Sequence, residues 1–543
     1  MRAMPRPRPR RVIEMKNTMN NNRRQLILGP AIAALLLAGC VVGPKYHPPA
    51  ATVQAPPPAY KEVPTQSPES GTWKVAQPQD AVLHGKWWEI YNDPELNALE
   101  EQLNVNNQNI KQSFENFMEA RTLIAQARSQ LYPTIGTTPS YERTRGSSNL
   151  GKTIGTTGTT SGGTVNLFTL PANISWEPDL WGKIRNTIRE YQYSAQLSAA
   201  DLENEKLTEQ ASLAVFFFEL RGQDALQKLY DDTIEADKKT VQLSRDRYET
   251  GVDDLISLVE AENALQNAEA AATNLGIARA QYEHAIAVLI GTTPSSFAVP
   301  VKPLSATAPP VPVGVPSQLL ERRPDIAASE RNMAAANAQI GIATAAYYPS
   351  LTLSAQGGFE SSTIGDLLTW PSRFWSVGPS VSETIFDAGL RRATVLQFVA
   401  LYNANVAGYR QTVLTAFQQV EDNLAAERIL SREIEQQQVA VQSAQKYLEL
   451  ALARYETGVD QYLNVLVAQT TLLSDQQQLA SLHTQSMTAS VQLIEALGGG
   501  WDTSQLPTPA QVSQKVTKSE IEAPNQPAQT SNPSSPNNPG SNP

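Results

Sequence analysis

Polar and apolar positions along this chain follow two different periods. Over residues 462–494 apolar side chains recur at three- and four-residue steps in two separate series. One runs Leu463, Leu466, Thr470, Leu473, Ala480, Met487, Val491 and Ile494; the other runs Val465, Ala468, Leu472, Leu479, Leu482, Ala489 and Leu493. Both keep helical spacing, and an offset of two residues sets them about 200° apart. A helix with two opposed apolar stripes needs neighbours on both flanks, as in a ring of helices. A two-stranded coiled coil would need only one stripe, and burial in a large bundle is the blander alternative.

The second period is two. Phe168, Leu170, Ala172, Ile174 and Trp176 share one face of a predicted strand. Leu351, Leu353, Ala355 and Phe359 alternate with Ser350, Thr352, Ser354 and Gln356, and Trp375, Val377, Val381 and Ile385 have Ser, Gly and Thr as neighbours. A weaker fourth segment covers 135–143. Each is about ten residues, the length of a membrane-spanning strand. Four strands cannot close a barrel, since about eight is the smallest common number. Open edges in lipid would leave backbone groups unpaired. If these strands span, several chains must share one barrel.

The body is an internal duplication. Arg247-Tyr248-Glu249-Thr250-Gly251-Val252-Asp253 recurs as Arg454-Tyr455-Glu456-Thr457-Gly458-Val459-Asp460, 207 positions later. Gly182 and Arg185 meet Gly389 and Arg392 at the same offset, whereas Leu131-Tyr132-Pro133-Thr134-Ile135 meets Tyr347-Tyr348-Pro349-Ser350-Leu351 at 216. A small length difference therefore lies between the matched blocks. We assign residues 86–300 to the first repeat (helix, β-hairpin, long helical hairpin) and 301–500 to the second. Each repeat holds a long proline-free stretch, 179–293 and 380–506, rich in strong helix formers. Gly251 and Gly458 are natural helix stops in mid-stretch. Each stretch thus predicts a helical hairpin turning at Tyr-Glu-Thr-Gly, with a first arm of about 100 Å.

Composition then removes alternatives. The 543 residues include one Cys and four dispersed His, so neither a disulfide framework nor a zinc enzyme is indicated. A net charge of −10 argues against a general nucleic-acid binder. That charge is uneven: seven Arg and Lys16 lie within residues 1–24 against Glu14 alone, so the body is more acidic than the whole. Arg23-Arg24 precedes an apolar run, Leu26 to Ala38, too short for a spanning helix and ending in small residues, as a secretory signal does. Leu37-Ala38-Gly39-Cys40 resembles a bacterial lipobox, which makes 1–39 a signal peptide and Cys40 the site of covalent lipid. Val41 is not Asp, so the inner-membrane retention signal is absent; Met15 or Met19 are alternative starts. Residues 40–85 read as a proline-rich tether, and 501–543 as a disordered tail.

With these features in view, residues 40–500 resemble a TolC-like outer-membrane factor of the lipoprotein branch, the NodT-type outer-membrane efflux lipoproteins. The resemblance rests on Cys40-Val41-Val42-Gly43-Pro44-Lys45-Tyr46, on Trp87 through Asp93-Pro94-Glu95-Leu96, and on Arg322-Arg323-Pro324-Asp325-Ile326. The Tyr-Pro junctions and both Arg-Tyr-Glu-Thr-Gly turns complete it. It implies a membrane α+β fold: a homotrimer whose 12-stranded β-barrel, four strands per chain, continues into a 12-helix periplasmic α-barrel. It implies an outer-membrane exit duct of a tripartite pump for drugs, metals or other small molecules. The implied partners are a periplasmic adaptor and an inner-membrane transporter, of the proton-driven efflux type, besides outer-membrane lipid.

The resemblance also implies residue roles. Arg247, Tyr248, Gly251, Arg454, Tyr455 and Gly458 would form the adaptor-docking tips, unless the two glycines merely turn the chain. The family closes its periplasmic entrance with Leu, Asp and Arg on one helical face. Here the matching positions are Leu463, Val467 and Thr470, so two of three depart. Asp460, or Asp253, Asp254 and Glu260 of the first hairpin, would supply acids there, or be ordinary solvated helix-tip charges. Three like charges in a trimer would raise each other's pKa.

Gly146-Ser147-Ser148-Asn149-Leu150-Gly151-Lys152-Thr153 fits the phosphate-loop pattern letter for letter, but the Thr/Gly-rich stretch after it cannot start the required helix. It reads as a loop between strands. No catalytic constellation and no cofactor beyond the lipid on Cys40 is indicated, so the chain is not an enzyme. Two alternatives to the efflux duct are an outer channel for type I protein secretion and a lipid-anchored coiled-coil scaffold. The scaffold would need no lipid-facing strands.

Overall fold

A computed structural model describes residues 41–52, 60–62, 85–145, 164–304, 307–311 and 319–522. The expected signal peptide, Cys40 and residues 146–153, expected to be a loop between strands, lie outside the described residues. The chain divides into two compact units. One comprises the residues up to His47 with Leu123–Tyr193 and Met333–Ala404; the other comprises Pro48–Thr122, Ser194–Asn332 and the chain from Asn405 on.

Helices dominate. After a short turn at Trp87–Tyr91 come α1 (Pro94–Asn106) and α2 (Gln108–Ser129). Asp93 starts α1 by accepting from the Glu95 and Leu96 N–H groups, with Pro94 in the first turn. Asn107 does the same for α2 through the Asn109 and Ile110 N–H groups, at 2.8 and 3.0 Å. The first hairpin is α3 (Lys183–Glu249) with α4 (Leu255–Leu289). Next is α5 (Pro324–Ala345), and the second hairpin is α6 (Leu390–Glu456) with α7 (Tyr462–Ala496). Both long arms have 67 residues and both short arms 35, and every hairpin boundary shifts by the 207 positions of the repeated motif. The other offset, 216, carries α2 onto α5, so the extra residues of the first repeat fall within its strand hairpin, between the end of α2 and the start of α3.

The strands form one antiparallel sheet within the first unit. They are β1 (Thr134–Thr137), β2 (Ser140–Arg145), β3 (Thr164–Trp176), β4 (Ser350–Ser361) and β5 (Arg373–Ser382). Both β1 and β2 pair with β3 in one unbroken register, followed by β4 and β5. The gap between β1 and β2 is Thr138-Pro139, opposite Pro171 and Leu170, where two prolines lack donors. All four expected strand segments are therefore present, although Ile385 lies beyond the end of β5.

The register sorts the side chains. Ile174 faces Ile135 and Ala355, Trp176 faces Leu353, and Val377 faces Ala355, all on one apolar face. Asn173 faces Gln356, Ser175 faces Ser354, and Ser376 faces Gln356 on the other. β1/β2 and β5 each keep one unpaired edge among the described strands.

The segment after Cys40 is built into this unit. Val42 donates to the Trp181 carbonyl at 3.0 Å, and Asn186 and Asn337 donate to the carbonyls of Val42 and Pro44. Gly43, at φ +115°, lies so close to Gly341 that a Cβ would come within 2.5 Å of its Cα.

In the second unit Trp87, Leu96, Leu103, Leu213, Phe217 and Ile286 centre the largest buried cluster. Buried Arg221 joins Glu95, Asp224 and the Pro300 carbonyl, and Asp224 also holds Arg279 at 2.7 Å. Arg323 of the Arg-Arg-Pro-Asp motif forks onto Asp325 and donates to the Ala496 carbonyl at the end of α7.

Two expectations change here. Part of the proline-rich tether is docked: Tyr60 is buried, the Lys61 and Glu62 N–H groups donate to the Glu421 carboxylate, and Glu62 pairs with Arg428. Residues 501–522 are folded, contrary to the tail expected from 501 on. Trp501 packs on Ala200, Ala327 and Ala328, Gln196 donates to the Pro507 carbonyl, and Arg121 meets Glu520. Composition hid both, because single anchors (Tyr60, Trp501, Val512) fix otherwise polar segments.

Candidate functional site

The two hairpin turns share one backbone solution. In each, Gly is left-handed (φ 71° at Gly251, 73° at Gly458). The following Val N–H reaches back to the Arg carbonyl at 2.9 Å, and the Gly N–H to the Tyr carbonyl at 3.0 Å. This is the Schellman closure of a helix C-terminus. Thr250 and Thr457 add their hydroxyls to the carbonyls of Asp246 and Ala453. Arg and Asp at the ends of the motif pair across the turn, Arg247 with Asp253 at 3.5 Å and Arg454 with Asp460 at 3.1 Å. The seven-residue motif is thus a self-contained turn whose ion pair closes it.

The tyrosines break the symmetry. Tyr248 is 42% exposed, whereas Tyr455 is fully buried. The Tyr455 hydroxyl donates to Asp253 at 2.8 Å and lies 3.1 Å from the Ser244 hydroxyl. The Arg247 guanidinium stacks over its ring at 4.6 Å and donates to the Glu456 carbonyl. Tyr462 packs beside it, in a cluster with Val241, Leu258, Ala261 and Val465. The first hairpin therefore grips the second through one phenol. Tyr455, expected as a docking contact, is an internal tie, and Arg247 is largely drawn inward with it. Tyr248, Gly251, Arg454 and Gly458 remain exposed.

Higher up, Gln469 donates to Asp237 and Thr240, and Gln477 to the Tyr230 hydroxyl, linking α7 to α3 again. Burial pushes the Asp237 carboxyl up to about 6.

The acids have distinct states. Partial burial pushes the Asp253 carboxyl up, but bonds from Tyr455, the Asp254 N–H and Ser257, with the Arg247 charge, hold it below its usual range. The Gln461 N–H, Asn464 and Arg454 hold Asp460 low as well. Asp254 caps α4 through the Ser257 N–H. Neither Asp254 nor half-buried Glu260 has a cation partner among the described residues. The acids of both turns are therefore largely committed within the chain.

Leu463, Val467 and Thr470 line one exposed face of α7, while Tyr462, Val465 and Ala468 fill the opposite one. The Thr470 hydroxyl is turned onto the Leu466 carbonyl at 2.9 Å. This face is apolar and uncovered within the chain. Sequence spacing located it; the burial of Tyr455 depended on contacts between hairpins 207 residues apart, which spacing does not carry.

Residues 99–292 and 315–499 match the family model described as outer membrane efflux protein. The chain is 32% identical over 477 residues to the toluene efflux pump outer membrane protein TtgC of Pseudomonas putida, covering 88% of this chain and 96% of that one. It is 30% identical over 482 residues to the outer membrane protein OprJ of Pseudomonas aeruginosa, covering 87% and 95%. Among solved structures it is similar to the outer-membrane channel OprN, with a TM-score of 0.75 and 27% identity, covering 85% of this chain and all of that one.

Proposed function

The chain belongs to the outer membrane efflux protein family, and we propose that it is the passive exit duct of a tripartite pump. Three chains share a 12-stranded barrel that continues into a 12-helix periplasmic tunnel. The observation that carries this reading is the sheet. Over most of its length one face is apolar and the other carries Ser, Thr, Asn and Gln, as a wall between lipid and a wet lumen requires. Its edges at β1/β2 and β5 need partners in lipid, and further copies of the same sheet supply them. A periplasmic scaffold would have no use for such a face. Among the described residues no helix is long and apolar enough to cross a membrane.

The duct catalyses nothing and takes its energy from an inner-membrane transporter of the proton-driven type. A periplasmic adaptor contacts the exposed turn residues Tyr248, Gly251, Arg454 and Gly458. In the resting state Leu463 and Val467 of each chain meet as an apolar constriction, held by the Tyr455–Asp253–Arg247 tie. Opening requires breaking that tie. Lipid on Cys40 anchors the chain, and the docking of Val42 on Trp181, between β3 and α3, favours an anchor on the membrane side.

Conductance in planar bilayers tests the gate. Leu463→Ser with Val467→Ser should raise the open-state occupancy of reconstituted trimers. Unchanged conductance would remove the gate assignment.

A further inference from the structure

The apolar face of the sheet changes character toward the ends where β2 leads to β3 and β4 to β5, opposite the ends that join the helices. Along β3 it runs from Ile174, Ala172 and Leu170 to Phe168, whose ring packs on Tyr141 at 4.7 Å. Beyond that aromatic pair the same face presents Arg143, opposite Asn166, and Arg145, opposite Thr164. Arg373, the first residue of β5, is on this face too, opposite Phe359. All three arginines are exposed and none has an acidic partner among the described residues. Arg373 donates its Nε to the Trp370 carbonyl at 3.0 Å and its guanidinium lies over the indole of the same residue, which is 74% exposed.

The opposite face has the opposite charge. Glu142 and Glu360, the acids of these strands, both project from the polar side, facing Leu167 and Thr169 of β3. No acid lies on the apolar face of the described strands. Charge is therefore split across the thickness of the sheet at one end. Guanidinium groups on a lipid-facing surface are costly at mid-depth and become tolerable only at the headgroup layer. Along β2 and β3 the order is apolar, then aromatic, then basic, the one that layer demands, while Arg373, across Phe359 from Leu170, sits on the aromatic Trp370.

We propose that Arg143, Arg145 and Arg373 form a binding surface for the phosphate groups of the glycolipid in the outer leaflet of the outer membrane. The inference rests on the reading of this sheet as a barrel wall. Three planar guanidinium forks match phosphate oxygens in a two-point geometry that water alone would not select. Tyr141, Phe168 and Trp370 seat the boundary between sugar and acyl chain. Glu142 and Glu360, facing away, do not repel the anion.

The test is native mass spectrometry of the full-length protein in detergent, titrated with bis-phosphorylated lipid A or with enzymatically dephosphorylated lipid A. The intact surface should retain the phosphorylated form at least about tenfold better. The R143Q/R145Q/R373Q variant should lose that preference, R143K/R145K/R373K should lose part of it, and E142Q/E360Q should keep it. Equal retention of the two lipids by the unmodified protein, or an undiminished preference in the Gln variant, overturns the proposal. Conductance of the unmodified protein in phosphatidylcholine bilayers reads the duct separately. If it forms channels while retaining the two lipids equally, the lipid surface alone has failed.

Discussion

Tyr455 and Tyr248 occupy the same place in identical heptapeptides, yet the first has no exposed surface and the second projects into solvent. The difference predicts an asymmetric response to the same change. Tyr455→Phe removes the donor to Asp253 and leaves Ser244 buried without its partner, costing about 1–3 kcal/mol at the tip. Channels of that variant should leak, read as higher basal conductance, while Tyr248→Phe should leave both stability and conductance unchanged. The acid side of the tie has a definite pH behaviour. Because the Asp253 carboxyl sits below its usual range, its contribution is complete above the ordinary carboxylate pKa and fades only as pH falls through the lowered value. Basal conductance should therefore stay low from pH 7 down to pH 5, and a tie that loosened between those values would contradict the geometry.

The helical hairpins were legible in the sequence because one periodicity and one repeated stop determine them: a proline-free run, then Gly at the left-handed position. The strands were legible through alternation, and their register follows once one face must be apolar. What spacing could not show is which copy of a repeated residue turns inward, or that Tyr60 and Trp501 pin segments of polar composition. Nor could it show that an acid is buried. Asp237 accepts from Gln469 with no ion pair among the described residues, and its pKa of about 6 means that the folded helices carry a penalty that grows as pH rises from about 4 to 6. Asp237→Asn should stabilise the hairpins by about 1–2 kcal/mol at pH 7.5, with the gain vanishing near pH 4 in thermal melts. In the sheet, a Cβ on Gly358 would lie 2.1 Å from the Leu170 carbonyl oxygen, whereas one on Gly357 meets nothing nearer than 3.7 Å. Gly358→Ala should block assembly, measured as loss of heat-resistant oligomer, and Gly357→Ala should not.

At the scale of the molecule the sheet poses the decisive requirement. Four strand segments with one apolar face and two open edges have no stable place in lipid as a single chain, and a lumen needs more wall than one chain provides. The uncovered apolar face at Leu463 and Val467 makes the same demand at the periplasmic end. Both are met when copies of the chain complete one another, so the oligomeric state in the membrane bears on barrel, tunnel and gate at once. Native mass spectrometry of the protein extracted from outer membranes in detergent measures it directly. The account predicts trimers of chains that begin at Cys40 and carry acyl mass. A monomer released without detergent would contradict it.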